Sequence, residues 1–387
     1  MDAQIILREL LQTVAREQDY PDPHVEVTAI NSGGANYTSA LFLASISAAD
    51  KDDLKLFAKV AIIGEQFRQM IDGDRLFNNE RFFYTELKKV YEALQDKHGV
   101  EQEHRMVFPK FYGYKDTYLE EIIVLEDLVA GGYGSHNRLK SVSWEYAAAA
   151  VSQLAKFHAL SFAFQDEQPE EFARVADGRQ FQTPDAHDDE NNPWRKMAGG
   201  ALKVVRDEYR GRLQAFLENN LDREKFVSYY RPRARCVLAH GDFRPSNLLC
   251  RRKDDKLEIV PVDYQTITAG CPANDLLYFI FTSSDKAFRG QHYQSLIDHY
   301  HRQLSDALKR LGKDVDNIYS KETLEQEVKE LLPFGLLIAI FILPIVTVEA
   351  ESAPKFDDIT DMEIEPNALY ADRFNGIVDD CVEWGVL

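Results

Sequence analysis

The sequence predicts an α+β protein of two lobes, a smaller one rich in strands and a larger one that is mostly helical. Two patterns of apolar residues support this class: five strand-like segments lie before residue 128, and helical spacing dominates the chain after it. A glycine-rich segment, Val129–Ser135, separates the two patterns and is typical of a connector. We therefore expect an N-terminal lobe over residues 1–128 and a C-terminal lobe over residues 129–387.

The composition is that of a globular chain with an acidic surface. The 387 residues are 45% hydrophobic, which is enough for a sizeable core. The 45 Lys and Arg against 64 Asp and Glu give a formal net charge of -19, so a nucleic-acid partner is not expected. The four cysteines are scattered, which predicts neither a disulfide framework nor a zinc site and fits a reducing compartment such as the cytoplasm.

Two apolar segments bear on the question of membranes. Met1–Tyr20 carries charged residues within its apolar pattern and predicts an amphipathic helix rather than a signal peptide. Leu331–Val348 has no charge, but its length of about eighteen residues lies at the bottom of the spanning range and it contains Pro333 and Pro344. We interpret it as a buried helix of the larger lobe and expect no membrane span. No obligate protein partner is evident.

The strand-like segments of the N-terminal lobe follow one another with short connections. The segments are Glu26–Ile30, Tyr37–Ser47, Leu54–Ala61, Val107–Tyr114 and Leu119–Asp127. Gly33 and Gly34 lie between the first two. They either serve a hairpin turn or let backbone N–H groups approach a phosphate closely, and the loop alone does not decide between these.

Lys59 and Glu80 are a candidate buried ion pair. Lys59 follows an apolar strand run, where a lysine is usually solvated. From Asp74 to Leu94 the apolar residues recur at helical spacing, with Glu80 inside the stripe and Glu86 off it. A carboxylate that faces a core must be paired or neutralised, so Lys59 is its natural partner. The alternative is that Glu80 lies at the edge of the stripe and reaches water.

The C-terminal lobe begins with helical patterns. Trp144–Ala163 predicts a largely buried helix in which His158 is a satisfied core histidine rather than a ligand. Gln165–Asn191 carries nine acidic residues against two basic ones and predicts a solvated excursion, or alternatively the mouth of a substrate site. Lys196–Asn219 returns to helical spacing, and the chain from Gln291 is helical in character.

The densest group of candidate functional residues lies around His240-Gly241-Asp242. A short apolar run delivers these residues to a turn, a second run begins after Asn247, and a third ends on Asp263. Short apolar runs bounded by turn residues predict buried strands. Asp242, Asn247 and Asp263 therefore lie where strands meet loops, and we expect them to converge.

Two carboxylates and one amide form an oxygen-ligand set that suits Mg²⁺. In phosphoryl transfer one Asp accepts the proton of the attacking hydroxyl, while an Asn and a later Asp hold metal against the phosphates. Taken singly, Asp242 and Asp263 are more simply turn formers. Their combination with His240 and Asn247 at this spacing favours the chemistry. Asp275, in the helix that opens at Pro272, either caps that helix or holds the backbone of the His240–Asp242 loop.

These residues resemble a known family. His240-Gly241-Asp242 with Asn247, followed by Val262–Gln265, is similar to the signature of the aminoglycoside phosphotransferase and choline kinase group, which has the protein-kinase-like fold. Within that group the chain resembles the insect ecdysteroid kinase-like (CHK kinase-like) proteins over about residues 25 to 350. Four stretches carry this narrower likeness: Gly34–Ser39, Glu80–Tyr84, Val124–Leu128 and Pro272–Phe279.

The resemblance implies a fold, cofactors and roles. The fold is a five-stranded antiparallel sheet plus helix in the N-terminal lobe and a larger, mostly helical C-terminal lobe; the cofactors are ATP and Mg²⁺. Asp242 is implied as the base for the substrate hydroxyl, and Asn247 and Asp263 as the Mg²⁺ ligands. The implied nucleotide-binding residues are Lys59 with Glu80, the glycine-loop residues Gly33, Gly34 and Asn36, and the backbone of Glu126 and Leu128 for adenine. His240 and Asp275 are implied to support the catalytic loop.

The sequence departs from the family at two positions. Where the family more often has Trp two residues after the catalytic Asp, this chain has Arg244, which either steadies the transferred phosphoryl group or is a simple loop residue. Tyr264 replaces the more usual Phe after the metal-binding Asp. No essential polar residue is missing, so we expect a live enzyme.

Three hypotheses follow from the sequence. The favoured one is a small-molecule kinase that acts on a hydroxyl of an ecdysteroid or another hydroxylated lipophilic compound. The second is the same fold acting on a cationic alcohol such as choline or an aminoglycoside, motivated by the acidic stretch Gln165–Asn191. The third is a nucleotide- or steroid-binding protein without catalysis.

Overall fold

The computed structural model describes residues 3–30, 39–61, 65, 68–69, 72–183, 193–349 and 365–387. Its N-terminal part is a five-stranded sheet in the order β1-β2-β3-β5-β4, and every neighbouring pair is antiparallel. An amphipathic helix, α1 (Ala3–Glu17), packs on it, as predicted. The strands are β1 His24–Ile30, β2 Ser39–Ala48, β3 Lys51–Ala61, β4 Phe111–Lys115 and β5 Ile122–Glu126.

The last two strands of the sheet begin later than predicted. Val107 is exposed, and Pro109, which has no N–H for a ladder, separates it from the start of β4. Leu119 is also exposed and has a φ of 65°, which belongs to a turn rather than to a strand. The apolar character of these residues therefore does not reflect strand pairing.

The predicted helix between β3 and β4 is helical throughout but is not a regular α-helix. α2 (Gly73–Phe82) and α3 (Lys88–Lys97) are joined by a π-helical segment, Phe83–Leu87. Phe83, which begins this segment, is fully buried. The π-helical segment was not predicted, because periodicity over such a short stretch does not distinguish it from an α-helix.

Two small sheets follow the connector and carry the central motif. β6 (Gly134–Ser135) lies at the end of the connector and pairs with β8 (Leu248–Lys253), which also pairs with β9 (Lys256–Pro261). β7 (Val237–Ala239) pairs with β10 (Thr268–Gly270). All three pairs are antiparallel.

Helices form the rest of the C-terminal part. They are α4 Trp144–Glu167, α5 Pro169–Asp177, α6 Pro193–Val204, α7 Asp207–Asn220, α8 Arg223–Ser228, α9 Pro272–Ser283, α10 Lys286–Arg310, α11 Val315–Ile318, α12 Lys321–Glu330, α13 Leu332–Thr347 and α14 Ala368–Glu383. The sequence therefore predicted the α+β class and the division into a strand-rich and a helical part correctly.

The buried apolar residues fall into two clusters. The smaller one lies between α1 and one face of the five-stranded sheet. The larger one fills the helical part and extends to Phe83 and Leu125, so the helix that carries Glu80 packs against the helical core. Residues 331–348 include α13, which is almost wholly buried, as predicted. Within the described part of the chain no single helix meets the length and hydropathy of a membrane span; α12 and α13 do so only as a pair bent by 54°.

Candidate active site

The loop between β7 and β8 is shaped by a glycine that no other residue could replace without strain. Gly241 has a φ of +82°, and a Cβ atom there would overlap the carbonyl oxygen of Thr266. The Thr266 hydroxyl also donates to the carbonyl of His240 at 2.9 Å. The loop is therefore pressed directly against the turn that follows Asp263.

Helix α9 holds the backbone of this loop through Asp275. Its carboxylate accepts from the N–H groups of His240 at 2.7 Å and Gly241 at 2.8 Å. Asp275 does not cap its helix, because the cap is formed by Cys271 with Asn274. Of the two interpretations that the sequence left open, the contact with the loop is the one present.

Asp275 is itself held by a buried histidine. His158 lies on α4, is fully buried, and bonds Asp275 at 3.1 Å and the Tyr300 hydroxyl at 2.7 Å. Burial alone would raise the pKa of Asp275, but its hydrogen bonds with His158 and with the loop hold that pKa below the ordinary value. His158 is a satisfied core histidine, as predicted, and it acts one layer behind the loop.

His240 is a neutral structural residue of the loop. Its Nδ1 accepts from the N–H of Asp242 at 3.3 Å, and its Nε2 donates to the Val262 carbonyl at 3.1 Å. Burial lowers the pKa of His240 although Asp275, Asp242 and Asp263 act in the opposite direction. Its two nitrogens thus connect the loop to the segment between β9 and Asp263.

The Asp242 carboxylate receives three side-chain hydrogen bonds. Its Oδ1 accepts from Arg244 Nε at 2.7 Å and from the Tyr278 hydroxyl at 2.5 Å. Its Oδ2 accepts from Asn247 Nδ2 at 2.8 Å. The carboxylate is 19% exposed, so it is oriented by the protein yet still reaches the surface of the site.

Arg244 is paired with the acid that it follows. Besides its bond to Asp242, its Nη1 donates to Ser246 at 2.6 Å. Burial opposes its charge, but the carboxylate of Asp242 holds the pKa of the guanidinium above its ordinary value. Arg244 therefore brings a permanent positive charge next to Asp242.

Asn247 and Asp263 lie side by side because β8 and β9 form a hairpin. Leu248 pairs with Pro261, and the Val262 N–H donates to the Asn247 carbonyl at 2.9 Å. The side-chain amide of Asn247 also donates to the Asp242 carbonyl at 3.0 Å, which leaves its Oδ1 as the atom that can accept a cation. Asp263 follows with a φ of 68°, in a left-handed conformation.

These two residues fit a magnesium ion. Asn247 offers an amide oxygen, and Asp263 offers the carboxylate oxygen that does not face Lys59; hard oxygen donors of this kind suit Mg²⁺. Burial would raise the pKa of Asp263, but Lys59, His240 and Arg244 lower it below its ordinary value. The carboxylate is thus ionised near neutral pH, as a metal ligand must be.

Lys59 lies between two carboxylates. Its Nζ is 2.9 Å from Glu80 Oε1 and 2.8 Å from Asp263 Oδ1. The predicted pair of Lys59 and Glu80 is present, and Glu80 is fully buried rather than at the edge of its stripe, whereas Glu86 is exposed. The contact of Lys59 with Asp263 was not predicted.

The two carboxylates share one cation, and their pKa values move in opposite directions. Two negative charges and one positive charge favour protonation of one acid, and the more buried acid binds the proton. Burial raises the pKa of Glu80 despite the attraction of Lys59, while Asp263, whose side chain is 25% exposed, has a lowered pKa. Asp263 is thus the stronger partner of Lys59.

The predicted nucleotide contacts lie in the glycine loop and at the end of β5, and the structure describes those at the end of β5. Gly33, Gly34 and Asn36 lie outside the described residues. At the end of β5, the Glu126 N–H donates to Lys110 at 2.8 Å and the Leu128 carbonyl accepts from Tyr133 at 3.0 Å. Any contact with adenine would therefore use the Glu126 carbonyl and the Leu128 N–H.

The sequence analysis assigned no role to two tyrosines of the site. Tyr278 lies three residues after Asp275 on α9, and that spacing, which puts both side chains on one helix face, was the available signal. Tyr230 lies beside Asp242: burial, and then the charge of Asp242, raise the pKa of its hydroxyl. Nothing in the sequence around Tyr230 indicates this electrostatic effect, because it depends on how the segment after α8 packs.

The chain is similar to one family of proteins and to solved structures. A model of the ecdysteroid kinase-like family matches residues 33–313. No curated protein matches the sequence significantly. Among the solved structures, a microcompartment-associated aminopropanol kinase is similar with a TM-score of 0.42 and 10% identity over 97% of this chain and 96% of that one. A variant of aminoglycoside 2'-phosphotransferase IIIa in complex with GDP has a TM-score of 0.47 and 11% identity over the same shares of the two chains.

The family match covers more than half of the 387 residues and includes Lys59, Glu80, the central motif and Asp275. It does not include α1, β1 or the helices from α11 onward. The chain therefore belongs to the ecdysteroid kinase-like family, which makes it a small-molecule phosphotransferase.

Proposed function

We propose that the protein transfers the γ-phosphoryl group of ATP, with Mg²⁺, to a hydroxyl group of an ecdysteroid or another hydroxylated lipophilic compound. One observation carries the proposal: hydrogen bonds join Asp242 to the side chain of Asn247, the Asn247 carbonyl to Val262, and Asp263, the next residue, to Lys59. A base, a pair of metal-binding oxygens and a buried cation thus meet at one place, which is what phosphoryl transfer requires.

In this proposal Asp242 is the base. It takes the proton of the substrate hydroxyl while that oxygen attacks the γ-phosphorus and the bond to the β,γ-bridging oxygen breaks, releasing ADP. When bound at Asn247 and Asp263, Mg²⁺ would neutralise charge on the phosphates. Lys59 has a third N–H beyond the two that face Glu80 and Asp263, and it donates this one to a phosphate oxygen. Most of the rate comes from positioning and charge neutralisation.

An aromatic wall beside Asp242 supports a lipophilic acceptor. We define it as Phe181, Phe226, Tyr230 and Phe334. The rings of Phe181 and Tyr230 stack at 3.6 Å and are only partly buried, and Phe334 meets Tyr230 edge-on at 5.1 Å. Phe226 and Phe334 are buried, so Phe181 and Tyr230 are the rings that offer apolar area to the body of an acceptor while its hydroxyl approaches the base.

The alternative hypothesis, that the acceptor is a cationic alcohol, has less support. It rested on the acidic stretch, whose residues Asp188, Asp189 and Glu190 lie outside the described residues. Aromatic faces also attract cations, so the aromatic wall alone does not exclude a quaternary ammonium acceptor. An assay with both kinds of acceptor therefore decides between the two hypotheses.

The test is Mg²⁺-dependent ATP consumption against a panel of acceptors: 20-hydroxyecdysone and related steroids, choline, ethanolamine, an aminoglycoside, and water alone. We expect turnover with a steroid and a loss of about a hundred- to ten-thousand-fold in Asp242→Ala, the range that a general base supplies. The matched control is Asp306→Ala, an exposed carboxylate on α10, which should keep wild-type activity and the same melting temperature.

Three other outcomes would overturn parts of the proposal. Turnover with the cations alone would make the protein a kinase of cationic alcohols. ATP binding without turnover, also over a wider hydroxylated library, would make it a binding protein. Full activity in Asp242→Ala would remove Asp242 from the chemistry.

A further inference from the structure

The two oxygens of the Asp242 carboxylate have different surroundings. Oδ1 accepts from both Arg244 and Tyr278, and two donors use both lone pairs of a carboxylate oxygen. Among the residues that the structure describes, Asn247 is the one donor to Oδ2, which keeps one acceptor position. The carboxylate is therefore held asymmetrically by the described residues around it.

Tyr278 is well placed to maintain this asymmetry. It lies on α9, whose twelve residues are all buried, and its side chain is on the same face as that of Asp275. One helix face thus fixes the loop twice, at the backbone of His240 and Gly241 and at the side chain of Asp242. Burial and the nearby charge of Asp242 raise the pKa of Tyr278, so its hydroxyl keeps its proton and remains a donor.

We infer that Tyr278 is a positioning residue that, together with Arg244, occupies Oδ1 of Asp242 and thereby leaves Oδ2 as the oxygen that accepts the proton of the substrate hydroxyl. The inference rests on the proposed function, because it assigns the base of that reaction to one atom. Without the Tyr278 hydroxyl, Oδ1 keeps Arg244 as its donor but loses the second one, so the carboxylate is held less firmly in this orientation.

The test is Tyr278→Phe, which removes one hydroxyl and keeps the ring. We expect kcat to fall about tenfold with the KM for ATP unchanged, the size of effect that one hydrogen bond to a charged group has. A residue that only packs would lower the melting temperature and leave kcat unchanged at the temperature of the assay.

A matched control comes from the same lobe. Tyr319 is also buried, and its hydroxyl also donates to a buried carboxylate, that of Glu327, away from Asp242. Tyr319→Phe should lower the melting temperature to a similar degree and keep the wild-type kcat. If both variants lower kcat equally, or if neither does, the inference is wrong.

A second variant keeps the test independent of folding. 3-Fluorotyrosine at position 278 keeps the size of the ring and the hydroxyl donor, so it should retain most of the wild-type kcat, in contrast to Tyr278→Phe. A wild-type protein that turns over no acceptor would contradict the proposed function, whereas an active wild type with an equally active Tyr278→Phe would contradict this inference alone.

Discussion

At the scale of single residues, Glu80 shows how burial decides a charge state. It shares Lys59 with Asp263 and is the more buried of the two acids, so its folded pKa is raised from 4.5 to about 7. A carboxyl group with a raised folded pKa contributes stability that is fully present below its unfolded pKa and is lost as the pH rises through the folded value. The ionisation of Glu80 therefore lowers the stability of the folded protein as the pH rises from acid to neutral.

Glu80→Gln tests this directly, because it removes the titration and keeps the size of the side chain. The free energy of unfolding of the wild type should fall relative to that of Glu80→Gln between about pH 5 and pH 7, by at most about 1.4 kcal/mol per pH unit. Urea titrations at a series of pH values measure this. Glu86→Gln changes an exposed position further along the same helical region, and its free energy of unfolding should follow that of the wild type at every pH. A difference that stays constant or grows with pH would contradict the assignment.

At the scale of elements, the loop between β7 and β8 is held by contacts with three others. Asp275 and Tyr278 of α9 hold it on one side, and the turn at Thr266 presses on Gly241 from another. The third contact is the hairpin of β8 and β9, which sets Asn247 beside Asp263. The position of Asp242 is thus a property of the packing of these elements rather than of the loop by itself.

Gly241→Ala should therefore cost both stability and activity. The positive φ alone costs about 1–2 kcal/mol for alanine, and the overlap with Thr266 adds to it, so we expect a loss above about 2 kcal/mol. Gly99→Ala is the control: its φ is +61°, but a Cβ there meets nothing within 4 Å. It should show the conformational cost alone and keep full activity in the ATP assay. Equal losses in the two variants would mean that the contact with Thr266 is unimportant.

At the scale of the whole molecule, a buried ion pair ties the C-terminal helix α14 to the helical core. Arg289 of α10 is 2% exposed, and its Nε donates to Asp380 of α14 at 2.6 Å. Its Nη1 also donates to the Ser284 carbonyl at 2.8 Å. The helix that closes the lobe is therefore held to the segment that directly follows α9, more than 90 residues earlier in the chain.

Asp380→Ala should destabilise the protein by about 3–5 kcal/mol, because it leaves a buried guanidinium without its counter-charge. Asp379→Ala is a close control: that neighbour contacts Arg206 and Lys286, whose side chains are about half exposed, and such pairs contribute about 1 kcal/mol or less. Thermal and urea unfolding measure both. Similar losses in the two variants would show that the Arg289 pair does not anchor α14.

The sequence by itself determined the fold class, the buried helix at residues 331–348 and the residues of the central motif. These depend on local patterns: apolar periodicity predicts each element, and the hairpin of β8 and β9 brings residues that are close in sequence together in space. The pairing of Lys59 with Glu80 was also predictable, since a carboxylate inside an apolar stripe requires a cation.

Only the tertiary structure decided which side chains surround Asp242. Lys59 and Asp263 are 204 residues apart, and Tyr278 reaches Asp242 across 36, so no local pattern records either contact. Arg244 was expected either to steady the transferred phosphoryl group or to be a plain loop residue, and its bond to Asp242 was not predicted. The direction in which a side chain points depends on how the helices pack around it. That packing follows from the whole core rather than from any one segment.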